Sequence, residues 1–204
     1  MIRIRHVTFT YLTEAAGGVR DVDLTIPDGQ VVVLCGESGC GKTTLTRLIN
    51  GLIPHFFEGA LTGRVEIDGK DISAQPLYET AGQVGSVFQN PRSQFFNVDT
   101  ISEITFGCEN LGMPKERILR RLERTVAELK LEPLLNRSIF ELSGGEKQKI
   151  ACAGAFLMEP PVFVLDEPSA NLDTDSILDL RQIIARLKAL GKTVVVSELR
   201  LYYL

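Results

Sequence analysis

The strongest constraint on this chain is a strand-sized apolar run, Val31–Cys35, that passes directly into Gly36-Glu37-Ser38-Gly39-Cys40-Gly41-Lys42-Thr43. A continuous run of this length reads as a strand buried on both faces. Residues 42–50 then take helical spacing and stop at Gly51, placed to end the helix. The turn between them has the pattern G-x-x-x-x-G-K-[ST] in the context it requires, after a strand and opening a helix. Glycines there let main-chain N–H groups of residues 36–44, Thr44 included, point inward at phosphate oxygens, with the helix N-terminus adding a favourable field. Lys42 is expected to bridge the β- and γ-phosphates, and Thr43 to offer its hydroxyl to Mg²⁺. A small side chain at Cys40 is tolerated in such a loop.

A second constraint lies downstream. Val162-Phe163-Val164-Leu165 ends in Asp166-Glu167-Pro168. Carboxylates at the end of a buried strand are costly unless they are paired or sit near a cation. Side chains alternate along a strand, so the two acids take separate roles. Asp166 is expected to hold the Mg²⁺ shell and Glu167 to polarise the attacking water as general base.

The remaining periodicities place these pieces in one α/β domain, the size that 204 residues allow. Residues 2–11 alternate apolar and polar, and Val22, Leu24 and Ile26 repeat the pattern before Pro27-Asp28-Gly29, as antiparallel strands do. Asp68-Gly69 within residues 63–72 signals a hairpin. Residues 84–88 and 193–196 read as further strands, and residues 175–190 as a helix ended by Gly191. From residue 100 to about 131 the period is helical. Ile118, Leu122, Val126 and Leu129 lie on one face, with Arg117, Arg120, Arg121 and Arg124 mostly on a solvated one.

Net charge of −4 argues against a surface built on nucleic-acid phosphates, so no nucleic acid is expected as a partner. No apolar run approaches the roughly 18–20 residues that cross a bilayer. Met1 leads straight into an alternating stretch, so no signal peptide is expected. The four cysteines form no C-x-x-C pair, which reads as a reduced, cytosolic protein without zinc.

Leu142-Ser143-Gly144-Gly145-Glu146 is the other distinctive element. Ser143 and Glu146 have the spacing of a capping box. Two consecutive glycines weaken a helix by about 1 kcal/mol each, and close approach of the main chain to a ligand accounts for them.

At these residues the chain resembles the ATP-binding-cassette (ABC) family. Residues 36–43 look like its Walker A motif, residues 162–167 like Walker B, and residues 142–146 like its signature. Gln89 matches the Q-loop glutamine, which in the family touches Mg²⁺ and the attacking water. Ser169-Ala170-Asn171-Leu172-Asp173 matches the D-loop at the dimer seam, and Tyr11 the aromatic that stacks on adenine. Phe88-Gln89-Asn90-Pro91, Ser93-Gln94-Phe95-Phe96 and Phe106-Gly107-Cys108-Glu109-Asn110-Leu111-Gly112 are similar to energy-coupling-factor (ECF) ATPases, which power uptake of vitamins and transition-metal ions.

The resemblance covers essentially the whole chain. It implies a P-loop NTPase core, a mostly parallel sheet with flanking helices, plus an N-terminal antiparallel β subdomain and an inserted helical subdomain. Residues 1–88 and 151–204 would form the core of a single domain, and residues 89–150 the helical and signature part. It further implies ATP and Mg²⁺ as ligands. A second ABC ATPase subunit would present Ser143, Gly144, Gly145 and Glu146 in trans to the nucleotide, and an integral membrane subunit would bind the pair at the inner face of the cell membrane. DNA-repair relatives carry a long coiled coil between the Q-loop and the signature, for which residues 89–143 leave no room.

The pattern departs after the strand at residues 193–196. Ser197-Glu198-Leu199-Arg200 puts Leu199 where the family has a histidine on the γ-phosphate. Loss of one such contact costs about 3–4 kcal/mol, or ~10²–10³ in rate. An alternative expectation is therefore an impaired subunit whose signature serves an active partner. Relatives also usually continue through further strands and helices, whereas these residues stop at Leu204.

Overall fold

A computed structural model of the chain describes residues 1–12 and 17–199. The alternating N-terminal residues form β1 (Ile2–Tyr11) and β2 (Gly18–Ile26), paired antiparallel from Ile2 opposite Ile26 to Thr10 opposite Gly18. Val31–Cys35 is β3, followed by α1 (Lys42–Ile49) and the short α2 (Leu52–His55). The Asp68-Gly69 turn joins β4 (Gly59–Ile67) to β5 (Lys70–Asp71), with Asp68 and Gly69 both at positive φ, as a tight hairpin requires. Then come α3 (Leu77–Gln83), absent from the sequence reading, and β6 (Val84–Val87).

The helical stretch expected over residues 100–131 is two helices, α4 (Thr100–Asn110) and α5 (Lys115–Leu129). Gly112 at φ 68 turns the chain out of α4, and Pro114, with no N–H to give, starts α5. The rest is α6 (Gly144–Met158), β7 (Val162–Asp166), α7 (Thr174–Ala189) and β8 (Thr193–Glu198).

Two sheets result. One is antiparallel in the order β2-β1-β4-β5, the other parallel in the order β3-β8-β7-β6. Every residue of β7 and β8 is buried. At roughly 1.5–3 kcal/mol per large apolar side chain, these two strands are the main investment of the parallel sheet. Strand β3 differs from its expected double burial. Among the described residues it lies at the sheet edge with β8 on one side only, and it is half-buried. One apolar cluster fills the space between the sheets and α1, with Phe9, Ile49, Val164 and Val195 in it. The other packs α4, α5, α6 and α7 on the opposite face of β7 and β8, through residues such as Ile104, Ile150, Phe163 and Ile183. The division expected at residue 150 falls inside α6, which runs unbroken to Met158.

Arg121 departs from the solvated arginine face expected of α5. Its Nη1 donates to the carbonyls of Leu157 (3.1 Å) and Met158 (2.9 Å), satisfying the C-terminal end of α6, and Nη2 pairs with Glu159 at 2.5 Å.

Candidate functional site

In a parallel sheet, ligands bind beyond the carboxyl ends of the strands. Strand order brings three such ends together here: β3 running into the glycine loop, β7 ending at Asp166, and β8 between them. Residues 36–40 are exposed. Gly36 (φ 155) and Gly41 (φ 100) take conformations that a side chain would strain, and a Cβ on Gly36 would come within 2.8 Å of the Cys40 sulfur. The Cys40 thiol therefore fills the inner corner of the turn.

Lys42 is buried at the first turn of α1. Its ammonium donates to the carbonyls of Gly36 (2.9 Å) and Glu37 (3.0 Å), spanning the loop, and stands 3.8 Å from Glu167 Oε1. Thr43 Oγ1 donates to Asp166 Oδ1 at 3.2 Å. Gln89, just past β6, donates from Nε2 to Glu167 Oε2 at 2.9 Å. The two adjacent acids thus turn to different partners, Asp166 to Thr43 and Glu167 to Lys42 and Gln89. Glu167 achieves this by leaving the strand at φ 42. Thr43 and Asp166 present a hydroxyl and a carboxylate at one point, a hard oxygen donor set that fits Mg²⁺.

Ser197 belongs to the same cluster and was missed from sequence. Its hydroxyl donates to Asp166 Oδ1 at 2.5 Å, and the Glu167 N–H donates to the Ser197 carbonyl at 2.9 Å. One polar residue directly after Thr193-Val194-Val195-Val196, in the strand beside the acids, was the available signal. Leu199 follows β8 half-exposed, its N–H donating to Glu198 Oε1 at 2.8 Å. Residues 200–204, including Arg200, lie outside the described residues.

Tyr11 stands beside the loop. Its hydroxyl is 3.3 Å from Thr44 Oγ1 and accepts from Arg47 Nη1 at 3.0 Å. The ring packs edge-on with Phe9 and Phe57, at centroid distances of 4.7 and 6.2 Å.

The signature residues open α6. Ser143 Oγ accepts from the Glu146 N–H (3.2 Å) and Glu146 Oε2 from the Ser143 N–H (2.7 Å), the expected capping box. Arg137 adds a donor to Glu146 Oε1 at 2.8 Å. The Ser143 amide and the Arg137 guanidinium hold the Glu146 carboxyl below the usual carboxylate range. Ser143 and Gly144 are exposed, and a cavity of about 320 Å³ lies between Gly144, Gln89, Gln148 and Asn171.

The two glycines have different causes. A Cβ on Gly145 would fall 1.9 Å from Ser176 Oγ and 2.7 Å from Ser176 Cβ, so packing on α7 by itself demands a glycine there. Gly144 meets only the Asn171 carbonyl at 3.4 Å and keeps its outer face open. Gly145→Ala is expected to lower stability by about 1–3 kcal/mol in thermal unfolding. Ser176→Gly in the same chain should relieve most of that loss, and unchanged stability of the single variant would contradict the packing account. Asp173 of the expected D-loop caps α7, accepting from the Ser176 N–H at 2.9 Å, and the Ser176 hydroxyl together with this amide holds its carboxyl low.

A glycine loop on a helix N-terminus, with a buried lysine and two strand-end acids converging on it, defines a phosphate-loop nucleotide-binding domain. The sequence profile described as ABC transporter matches residues 19–170. The chain belongs to the ABC transporter family, as its ATP-binding domain. It is 53% identical over 204 residues, all of this chain, to an ABC transporter ATP-binding protein of Treponema denticola. It spans only 42% of the length of that relative. Among solved structures it is similar to cbiO1 of Clostridium perfringens, described as part of the ABC transporter complex cbiONQ. The TM-score is 0.82 at 26% identity, covering 98% of this chain and 78% of that one. It is also similar to the ATP-binding cassette MJ0796, solved as a dimer in a post-hydrolysis state bound to ADP and Pi. There the TM-score is 0.85 at 26% identity, covering 100% of this chain and 90% of that one.

Proposed function

We propose that this domain binds ATP-Mg²⁺ at residues 36–44, pairs head-to-tail with a second ABC ATPase subunit, and hydrolyses ATP to energise a membrane transporter. The observation that carries the reading is the convergence of Lys42, Thr43, Gln89, Asp166 and Glu167 at the ends of adjacent strands. Lys42 would exchange its loop carbonyls for phosphate oxygens. Mg²⁺, held by Thr43, Asp166 and Gln89, would neutralise charge on the β- and γ-phosphates. Glu167 would take the proton of the attacking water, with Gln89 fixing the carboxylate that receives it. Tyr11 would bear the adenine. Ser143, Gly144 and Gly145 of the second subunit would close over the γ-phosphate, with Glu146 capping the helix that presents them, so that ATP holds the pair shut and hydrolysis releases it.

An ECF-type uptake system for a vitamin or transition-metal ion is the finer reading. The motifs after Gln89 and the likeness to cbiO1 support it. An apolar groove of about 400 Å³ on that segment, where Phe96, Val98 and Phe140 are exposed, supports a membrane-embedded partner. The domain would then work at the inner face of the membrane. Among the described residues no helix is long and apolar enough to cross one.

Leu199 favours a second reading, an impaired site that pairs with an active partner, because leucine offers the γ-phosphate no donor. Turnover of the protein beside Leu199→His separates the two. A rise of about 10²–10³-fold supports the impaired site. High turnover with leucine in place supports the active ATPase and removes the second reading.

A further inference from the structure

Position 146 brings a carboxylate to the mouth of the signature helix, where a γ-phosphate is proposed to arrive. Both oxygens of that carboxylate are engaged, Oε2 by the Ser143 N–H and Oε1 by Arg137. The capping box alone does not need a charge, since glutamine at the third helical position closes it equally well. A second anion approaching the same helix N-terminus would meet the Glu146 charge at close range, and that repulsion grows as the closing interface excludes water.

Arg137 is built to cancel it. Its main chain is pinned to the start of α4, where the Thr100 N–H donates to the Arg137 carbonyl at 3.1 Å. From there Nη1 reaches Glu146 and Nη2 reaches the Glu141 carbonyl at 3.4 Å, directing the guanidinium onto the signature. The pair is only about a third exposed on each side. We infer that Arg137 is a positioning residue for the nucleotide in trans: it neutralises the acidic signature residue Glu146 so that a polyphosphate of a second subunit can dock on the start of α6. The inference rests on the head-to-tail reading above.

The test uses the Glu167→Gln protein, which is expected to hold ATP unhydrolysed, and reads its pairing by light scattering across an ATP-Mg²⁺ titration. Arg137→Gln should raise the ATP concentration at half-pairing by roughly fivefold or more. Adding Glu146→Gln should restore the parent value, because the cap survives and the charge to be cancelled is gone. Binding of a fluorescent nucleotide to the monomer should be the same in all variants.

Pairing by Arg137→Gln at the parent concentration would overturn the inference, as would a defect that Glu146→Gln does not rescue. Weakened monomer binding would also overturn it, since Arg137 would then be supporting the fold. A Glu167→Gln parent that never pairs with ATP would remove the head-to-tail reading itself, and this inference with it.

Discussion

Lys42→Ala is expected to weaken ATP binding by about 10²–10³-fold, measured by equilibrium titration with a fluorescent nucleotide. Among the described residues the Lys42 ammonium is the one cation spanning the loop, and it is buried, so its charge is poorly replaced by water. Hydrogen bonds from a charged donor contribute about 1.5–3 kcal/mol each, and one to two of them correspond to the stated range. The alanine variant also leaves the Gly36 and Glu37 carbonyls facing a polyphosphate with no intervening charge, and it leaves Glu167 facing Gln89 alone. Both effects act against an incoming anion. The fold should be little affected, because the core under α1 is made by Leu48 and Ile49 rather than by Lys42. Unchanged affinity would remove residues 36–44 as the phosphate site. A large loss of thermal stability would instead assign Lys42 to holding the loop.

What could be read in advance follows from how local each cause is. The loop, the hairpin at Asp68-Gly69 and the cap at Ser143 are written in a few adjacent residues, and all three stand where their chemistry requires. That the adjacent acids would face different partners was legible because strand alternation separates them, though Glu167 is turned away by a positive φ as well. Other features depend on distant partners. Gly145 looks like a concession to a ligand until Ser176 appears against it. The α5 arginines look alike by spacing, yet only Arg121 among them reaches the end carbonyls of α6. Ser197 has no local signature, and its role is created by the register that sets Asp166 opposite it across β7 and β8. The half-burial of β3 likewise depends on where it lies in the sheet, which a continuous apolar run does not encode.

Glu167→Gln should lower ATP turnover by about 10²–10⁴-fold, the range that a positioned general base supplies, while ATP-Mg²⁺ binding remains. An amide oxygen still accepts the Gln89 hydrogen bond, so the geometry at Oε2 is kept. The amide cannot take a proton, and its neutral group no longer repels the γ-phosphate or holds Lys42 by charge. Binding is thereby favoured and chemistry blocked, and any state that depends on bound ATP should accumulate. If Ser143 and Gly144, exposed at the start of α6, cover a nucleotide held by another copy, that state is a dimer. Light scattering of the variant with ATP-Mg²⁺ should then report twice the monomer mass, returning to the monomer with ADP. Retained turnover would show that Glu167 is not the base. A strictly monomeric variant with ATP bound would leave the catalytic assignment standing and rule out the shared site, because the proton chemistry is local to one chain and the pairing is not.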